Sequence, residues 1–119
     1  MTSQTHSDLP DVAQRFLRYV AIDTQSADGA DRYPSTEKQK ALGRLLVSEL
    51  TGLGLHDVLM DDFGVVMATV PATPGCEAAP TIGYIAHVDT SPDVSGAGVK
   101  AVIHRAYPGG PLPLAATGD

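Results

Sequence analysis

Apolar and polar positions along this chain fall into helical periodicity, strand alternation and one unbroken apolar run. Val12, Ala13, Phe16, Leu17 and Val20 recur at helical spacing, with Asp11, Gln14, Arg15 and Arg18 on the opposite side. That pattern predicts an amphipathic helix. Asp8 as cap and Pro10 in the first turn mark its start. A second helix is predicted from Thr36, where Thr36-Glu37-Lys38-Gln39 has the form of a capping box. Ala41, Leu42, Leu45, Leu46 and Leu50 form its apolar stripe. Gly52 or Gly54 is expected to end it, since glycine takes the left-handed conformation without steric cost. Val58 and Met60 then alternate as a short strand, Asp61-Asp62-Phe63-Gly64 reads as a tight turn, and Val65 to Val70 completes a hairpin.

The unbroken apolar run is Ile82-Gly83-Tyr84-Ile85-Ala86, bounded by Pro80 and Pro92 and followed by His87-Val88-Asp89-Thr90. Such runs predict buried strands. In a strand, residues two apart share a face, so His87 and Asp89 are expected to point together and Val88 into apolar packing. Open α/β sheets bind ligands at the C-terminal ends of their strands. An imidazole there is a potential zinc ligand, and a neighbouring carboxylate can ligate or hold the ring in one tautomer. His-x-Asp is equally compatible with an Asx-turn at Asp89 before Thr-Ser-Pro. Val99 to Tyr107 gives a weaker strand pattern. Ile22 to Pro34 reads as a solvated connector, Pro71 to Pro80 as a second loop, and Met1 to Ser7 as a frayed tail. Ser95-Gly96-Ala97-Gly98 is a turn and not a phosphate loop, lacking the Lys-Ser/Thr ending and a following helix. No element is predicted for Ala115 to Asp119, and no linker or repeat divides the chain.

Composition narrows these possibilities. With 119 residues, 43% hydrophobic and 18% charged, the chain has the make-up of an ordinary globular domain. A formal charge of -6 argues against a nucleic-acid surface, which needs clustered Lys and Arg. Cys76 is the only cysteine, so no internal disulfide forms, and its Pro-Gly-Cys-Glu context reads as a loop. No apolar stretch approaches the ~18 residues of a membrane span, and no secretory leader is visible. The expectation is therefore a cytoplasmic protein with neither nucleic-acid nor membrane partner. His6, His56 and His104 have no spacing that joins them to His87.

Taken whole, Gly83-Tyr84-Ile85-Ala86-His87-Val88-Asp89-Thr90-Ser91-Pro92-Asp93 resembles the first metal-ligand segment of dinuclear zinc peptidases of the aminoacylase and carboxypeptidase G type, in particular their tripeptide aminopeptidases. Asp23-Thr24-Gln25-Ser26, Pro34-Ser35-Thr36, Met67-Ala68-Thr69 and Tyr107-x-Gly109-Gly110 are similar to further landmarks of that family, in the same order. The resemblance implies an α/β fold, part of a three-layer α/β/α sandwich, with residues 1–119 as the N-terminal part of a catalytic domain. It implies removal of the N-terminal residue from tripeptides by a site holding two Zn²⁺ ions, in a parent that is a possible homodimer. His87 would be a metal ligand and Asp89 the catalytic carboxylate that orients it, while the loop containing Asp23 would lie near the metal centre. The family's bridging Asp, its Glu pair and its remaining ligands come later than Asp119, as does its dimerisation domain. The chain alone is thus expected to be inactive. The alternatives are a non-catalytic remnant or binding module, and a related zinc amidohydrolase acting on acylamino acids.

Overall fold

Helix α1 spans Asp11–Val20, helix α2 Gln39–Gly52, strand β1 His56–Met60 and strand β2 Val66–Thr69 in a computed structural model that describes residues 8–112. The tail Met1 to Ser7, with His6, and the stretch Ala115 to Asp119 lie outside the described residues.

Both predicted helices are present, with altered starts. Pro10 occupies the N-cap of α1 and makes no side-chain cap bond. The Asp8 carboxylate is instead paired with Arg105, at 2.6 Å from Nη1. Before α2, the amides of Gln39, Lys40 and Ala41 donate to the carbonyls of Thr36, Glu37 and Lys38, so the chain enters through tight three-residue turns. The expected capping box does not form around a backbone amide. Thr36 Oγ1 accepts from the Gln39 side chain at 3.1 Å and donates to the Gln25 carbonyl at 2.7 Å. Helix α2 ends as glycine dictates: Gly54 has φ +77°, its amide reaches Thr51, and the Leu55 amide reaches Leu50. This is the Schellman arrangement.

The hairpin also forms. Strands β1 and β2 pair antiparallel with Leu59 opposite Met67 and Met60 opposite Val66, and the register slips between His56 and Leu59. Asp57, at φ +52°, sits in that irregularity. The Asp61 carboxylate closes the turn by accepting from the amides of Phe63 and Val65, both at 2.9 Å. His56 opens β1 on an exposed position and takes no part in a site. The hairpin packs against α2, where Leu42 and Gly43 are buried. Leu42 is the one buried apolar side chain among the described residues.

Helix α1 is joined to α2 by a charged cluster, and its apolar stripe is only half covered. Arg15, Arg18 and the Tyr19 hydroxyl converge on Glu49 of α2 at 3.0, 2.6 and 2.7 Å. Val12 and Phe16 stay exposed, with Phe16 at 63%. The Tyr19 hydroxyl, followed by Arg18, holds the Glu49 carboxyl below its ordinary pKa. Burial, and then Glu49 itself, push Tyr19 above its ordinary value.

The expected strand Thr81 to His87 does not form, and neither does Val99 to Tyr107. A strand is a relation between chains of hydrogen bonds, and no neighbouring strand is paired with either segment among the described residues. Tyr84 and Ile85 are 94% and 101% exposed, and Val88 is only partly covered, at 37%. The architecture is therefore α/β with one two-stranded sheet, and the third layer of a sandwich is not present among the described residues. The radius of gyration is 17.8 Å, against about 13.5 Å for a compact chain of this length. Accessible surface is 9645 Å², against about 6,100 Å² for a folded protein of this mass.

With the helix–hairpin core centred on one leucine, Leu42→Ala should cost about 2–5 kcal/mol. That is comparable to the whole stability of a small domain, about 5–15 kcal/mol. Urea titration followed by circular dichroism at 222 nm should show the cooperative transition weakened or gone. An unchanged midpoint would mean that the core lies elsewhere.

Candidate functional site

His87 and Asp89 come together although their strand does not form. The His87 ring nitrogen Nδ1 lies 3.0 Å from Asp89 Oδ1 and 3.1 Å from the Asp89 carbonyl oxygen. With its proton on Nδ1, the ring donates to these oxygens, and Nε2 keeps a free lone pair. That is the arrangement in which a carboxylate fixes the tautomer of a metal-binding imidazole. His87 is 85% exposed and Asp89 45% exposed, so the pair is open to ligand. Among the described residues, no group of three or more His, Cys, Asp or Glu side chains is gathered as a metal cage. Cys76 lies exposed in its loop, and His104 is exposed outside the site.

What anchors this pair is the loop that the residue pattern presents as a plain connector. Gln25 and Thr90 form a parallel bridge. The Thr90 amide donates to the Thr24 carbonyl at 3.2 Å, and the Ser26 amide and hydroxyl both donate to the Thr90 carbonyl at 2.9 Å. The Gln25 side-chain amide donates to the carbonyls of Pro92 and Val94, at 2.9 and 3.0 Å. Thr24 is buried beneath this junction. Asp23 Oδ1 accepts from the Gln25 amide at 3.0 Å, and Oδ2 pairs with Lys38 Nζ at 2.9 Å. Lys38, then the Gln25 amide, hold the Asp23 carboxyl below its ordinary pKa. Gly96 packs into the same corner: a Cβ there would lie 2.9 Å from Asp23 Oδ1 and 3.2 Å from Thr90 Oγ1. These atoms leave room for a hydrogen only.

Beside the pair lies an open cavity of about 590 Å³. Tyr33, Pro34, Phe63 and Val65 form its apolar walls, and Ser35, Gln39 and Asp89 complete the lining. The structure thus brings together His87, Asp89, the Asp23–Ser26 loop and Pro34-Ser35. Spacing alone pointed only to the first two. The Asp-Thr-Gln-Ser string was the available signal for the loop, and it carried meaning only as part of the family resemblance.

No protein-family model matches the chain. Individual proteins do. The chain is 51% identical over 98 residues to peptidase T of Halothermothrix orenii, covering 82% of this chain and 24% of that protein. It is 47% identical over 111 residues to peptidase T of Aliivibrio fischeri, covering 93% of the chain and 27% of the relative. Against peptidase T of Desulfitobacterium hafniense the identity is 53% over 98 residues, 82% of the chain and 23% of the relative. Identity at this level across four fifths or more of the chain makes it a member of a peptidase family. That family is peptidase T. The chain spans about a quarter of the length of these curated relatives.

The Asp23–Lys38 contact is testable by pH. Because the folded carboxyl titrates below its unfolded value, its stabilising contribution is present above the unfolded pKa and is lost as pH falls through the folded one. Carbon-detected NMR titration should give Asp23 a midpoint below the ordinary carboxylate range, and Lys38→Met should return it toward that range. Identical midpoints in the two proteins would remove Lys38 as the cause.

Proposed function

We propose that this chain is part of a metal-dependent aminopeptidase that releases the N-terminal residue of tripeptides. The observation that carries the proposal is the identity to peptidase T over the span containing His87 and Asp89. The geometry of that pair supports it: Nδ1 is engaged by Asp89 and Nε2 is left for a metal. His87 would hold a zinc ion through Nε2, and Asp89 would take the Nδ1 proton, fix the ring and raise its basicity. When bound, a pair of zinc ions supplies Lewis-acid polarisation of the scissile carbonyl and a water nucleophile active at neutral pH. Since zinc sites use three or four protein ligands, the remaining ligands and the general base would come from sequence beyond this span.

The cavity next to Asp89 offers apolar walls for part of a short peptide. No helix among the described residues is long and apolar enough to cross a membrane. A cytoplasmic setting for peptide breakdown belongs to the proposal, as does a homodimeric whole protein.

Two measurements test this reading. The 119-residue chain alone should release no N-terminal residue from tripeptides and should bind no stoichiometric zinc at micromolar concentration. A chimera in which this span replaces the matching segment of the Halothermothrix orenii enzyme should be active. In that chimera, Asp89→Asn should lower kcat/KM by about 10–100-fold while leaving most of the metal bound. His87→Ala should remove one metal and a larger share of activity. A chimera whose activity survives His87→Ala unchanged would refute the assignment.

A further inference from the structure

We propose that Gln25 is a positioning residue for the His87–Asp89 pair, acting through its amide hydrogen bonds to the chain immediately beyond Asp89. The functional weight of this inference rests on the peptidase reading above, but its physical content does not.

From Thr81 to Val88 the chain is exposed, and the side-chain contact of His87 with Asp89 is internal to the segment. What fixes the pair relative to the helix–hairpin core therefore begins at Asp89 and Thr90. There the backbone bridge to Thr24 and Ser26 is continued by the Gln25 side chain, which spans two carbonyls, those of Pro92 and Val94. A single amide thus closes the turn that follows Asp89. The orientation of that amide is itself determined. Lys38 Nζ lies 3.3 Å from Gln25 Oε1, so the oxygen faces a cation and the nitrogen faces two acceptors. The backbone of Gln25 is held as well, by Thr36 Oγ1 at its carbonyl and Asp23 Oδ1 at its amide. Gly96 closes the corner from the other side, against Asp23, Thr90 and the Gln25 Cβ.

The chemistry demands an amide of this length. Asparagine falls one methylene short of the two carbonyls. Glutamate keeps the length and the Lys38 contact, but sets carboxylate oxygens against two carbonyl oxygens and turns both attractions into repulsions. Gln25→Glu is therefore the diagnostic variant, and Gly96→Ala disturbs the same corner without touching Gln25.

The test uses the ¹⁵N-labelled 119-residue chain and both variants. Amide exchange at Thr90 reports the tether, His87 ring ¹⁵N shifts report the tautomer, and exchange across α2 serves as the control. Gln25→Glu should speed Thr90 exchange about tenfold, as expected for the loss of two ordinary hydrogen bonds. It should also move His87 from the Nδ1–H tautomer toward the Nε2–H tautomer of free histidine, with α2 protection unchanged. Gly96→Ala should shift the same two readouts in the same direction. Thr90 exchange and His87 shifts unaltered in both variants would overturn the proposal. So would equal loss of α2 protection, which would make Gln25 a general structural residue. Neither readout involves metal or peptide, so a failed chimera assay and a failed Gln25 assay are distinguishable.

Discussion

Everything about the site depends on one seam of hydrogen bonds, between Thr24, Gln25 and Ser26 on one side and Thr90, Pro92 and Val94 on the other. Another link between these parts of the chain is the Asp8–Arg105 ion pair, whose side chains are both 59% exposed. An exposed pair of that kind contributes about 0–1 kcal/mol. The seam is different in kind: it is partly backbone, and it is backed by buried Thr24. It sets where Asp89 stands, and Asp89 in turn sets where the His87 ring points.

Ionised carboxylates do much of the assembly where apolar burial is thin. Glu49 gathers two arginines and a tyrosine of α1 onto α2. Asp23 ties Lys38, at the start of α2, to the loop that carries Gln25. In both cases the neighbours favour the charged form of the acid. Helix α1 shows why this matters: Val12 and Phe16 of its apolar stripe stand in solvent, while Ala13, Leu17 and Val20 are only half-buried.

The parts that were legible in the sequence are those whose cause is local. Helices α1 and α2 follow from periodicity, the end of α2 from Gly54, and the hairpin from alternation around Asp61-Asp62-Phe63-Gly64. The spacing of His87 and Asp89 put their side chains within reach of each other even without a sheet, but it says nothing of the seam beyond Asp89 that fixes the turn they stand on. Ile82 to Ala86 was illegible in the opposite sense. Its composition suits a strand, but strand formation requires a partner ladder that composition cannot supply. Thr36 likewise has the capping sequence, yet its hydroxyl is taken by the Gln25 carbonyl, a contact eleven residues away that no local rule foresees. Gln25 itself carries no signal as a residue type. A glutamine in a polar loop is ordinary until the carbonyls of Pro92 and Val94 are seen beside it.

The seam also has an entropic side. Its contacts join residues 64 to 69 positions apart. Closing a flexible loop of that size costs about 4 kcal/mol. The five hydrogen bonds across the seam contribute about 0.5–1.5 kcal/mol each, so closure and bonding nearly balance. The helix–hairpin core, built from contacts between near neighbours in sequence, bears no comparable cost. That near balance puts the segment bearing His87 and Asp89 at the low-stability end of the molecule, where local opening costs least.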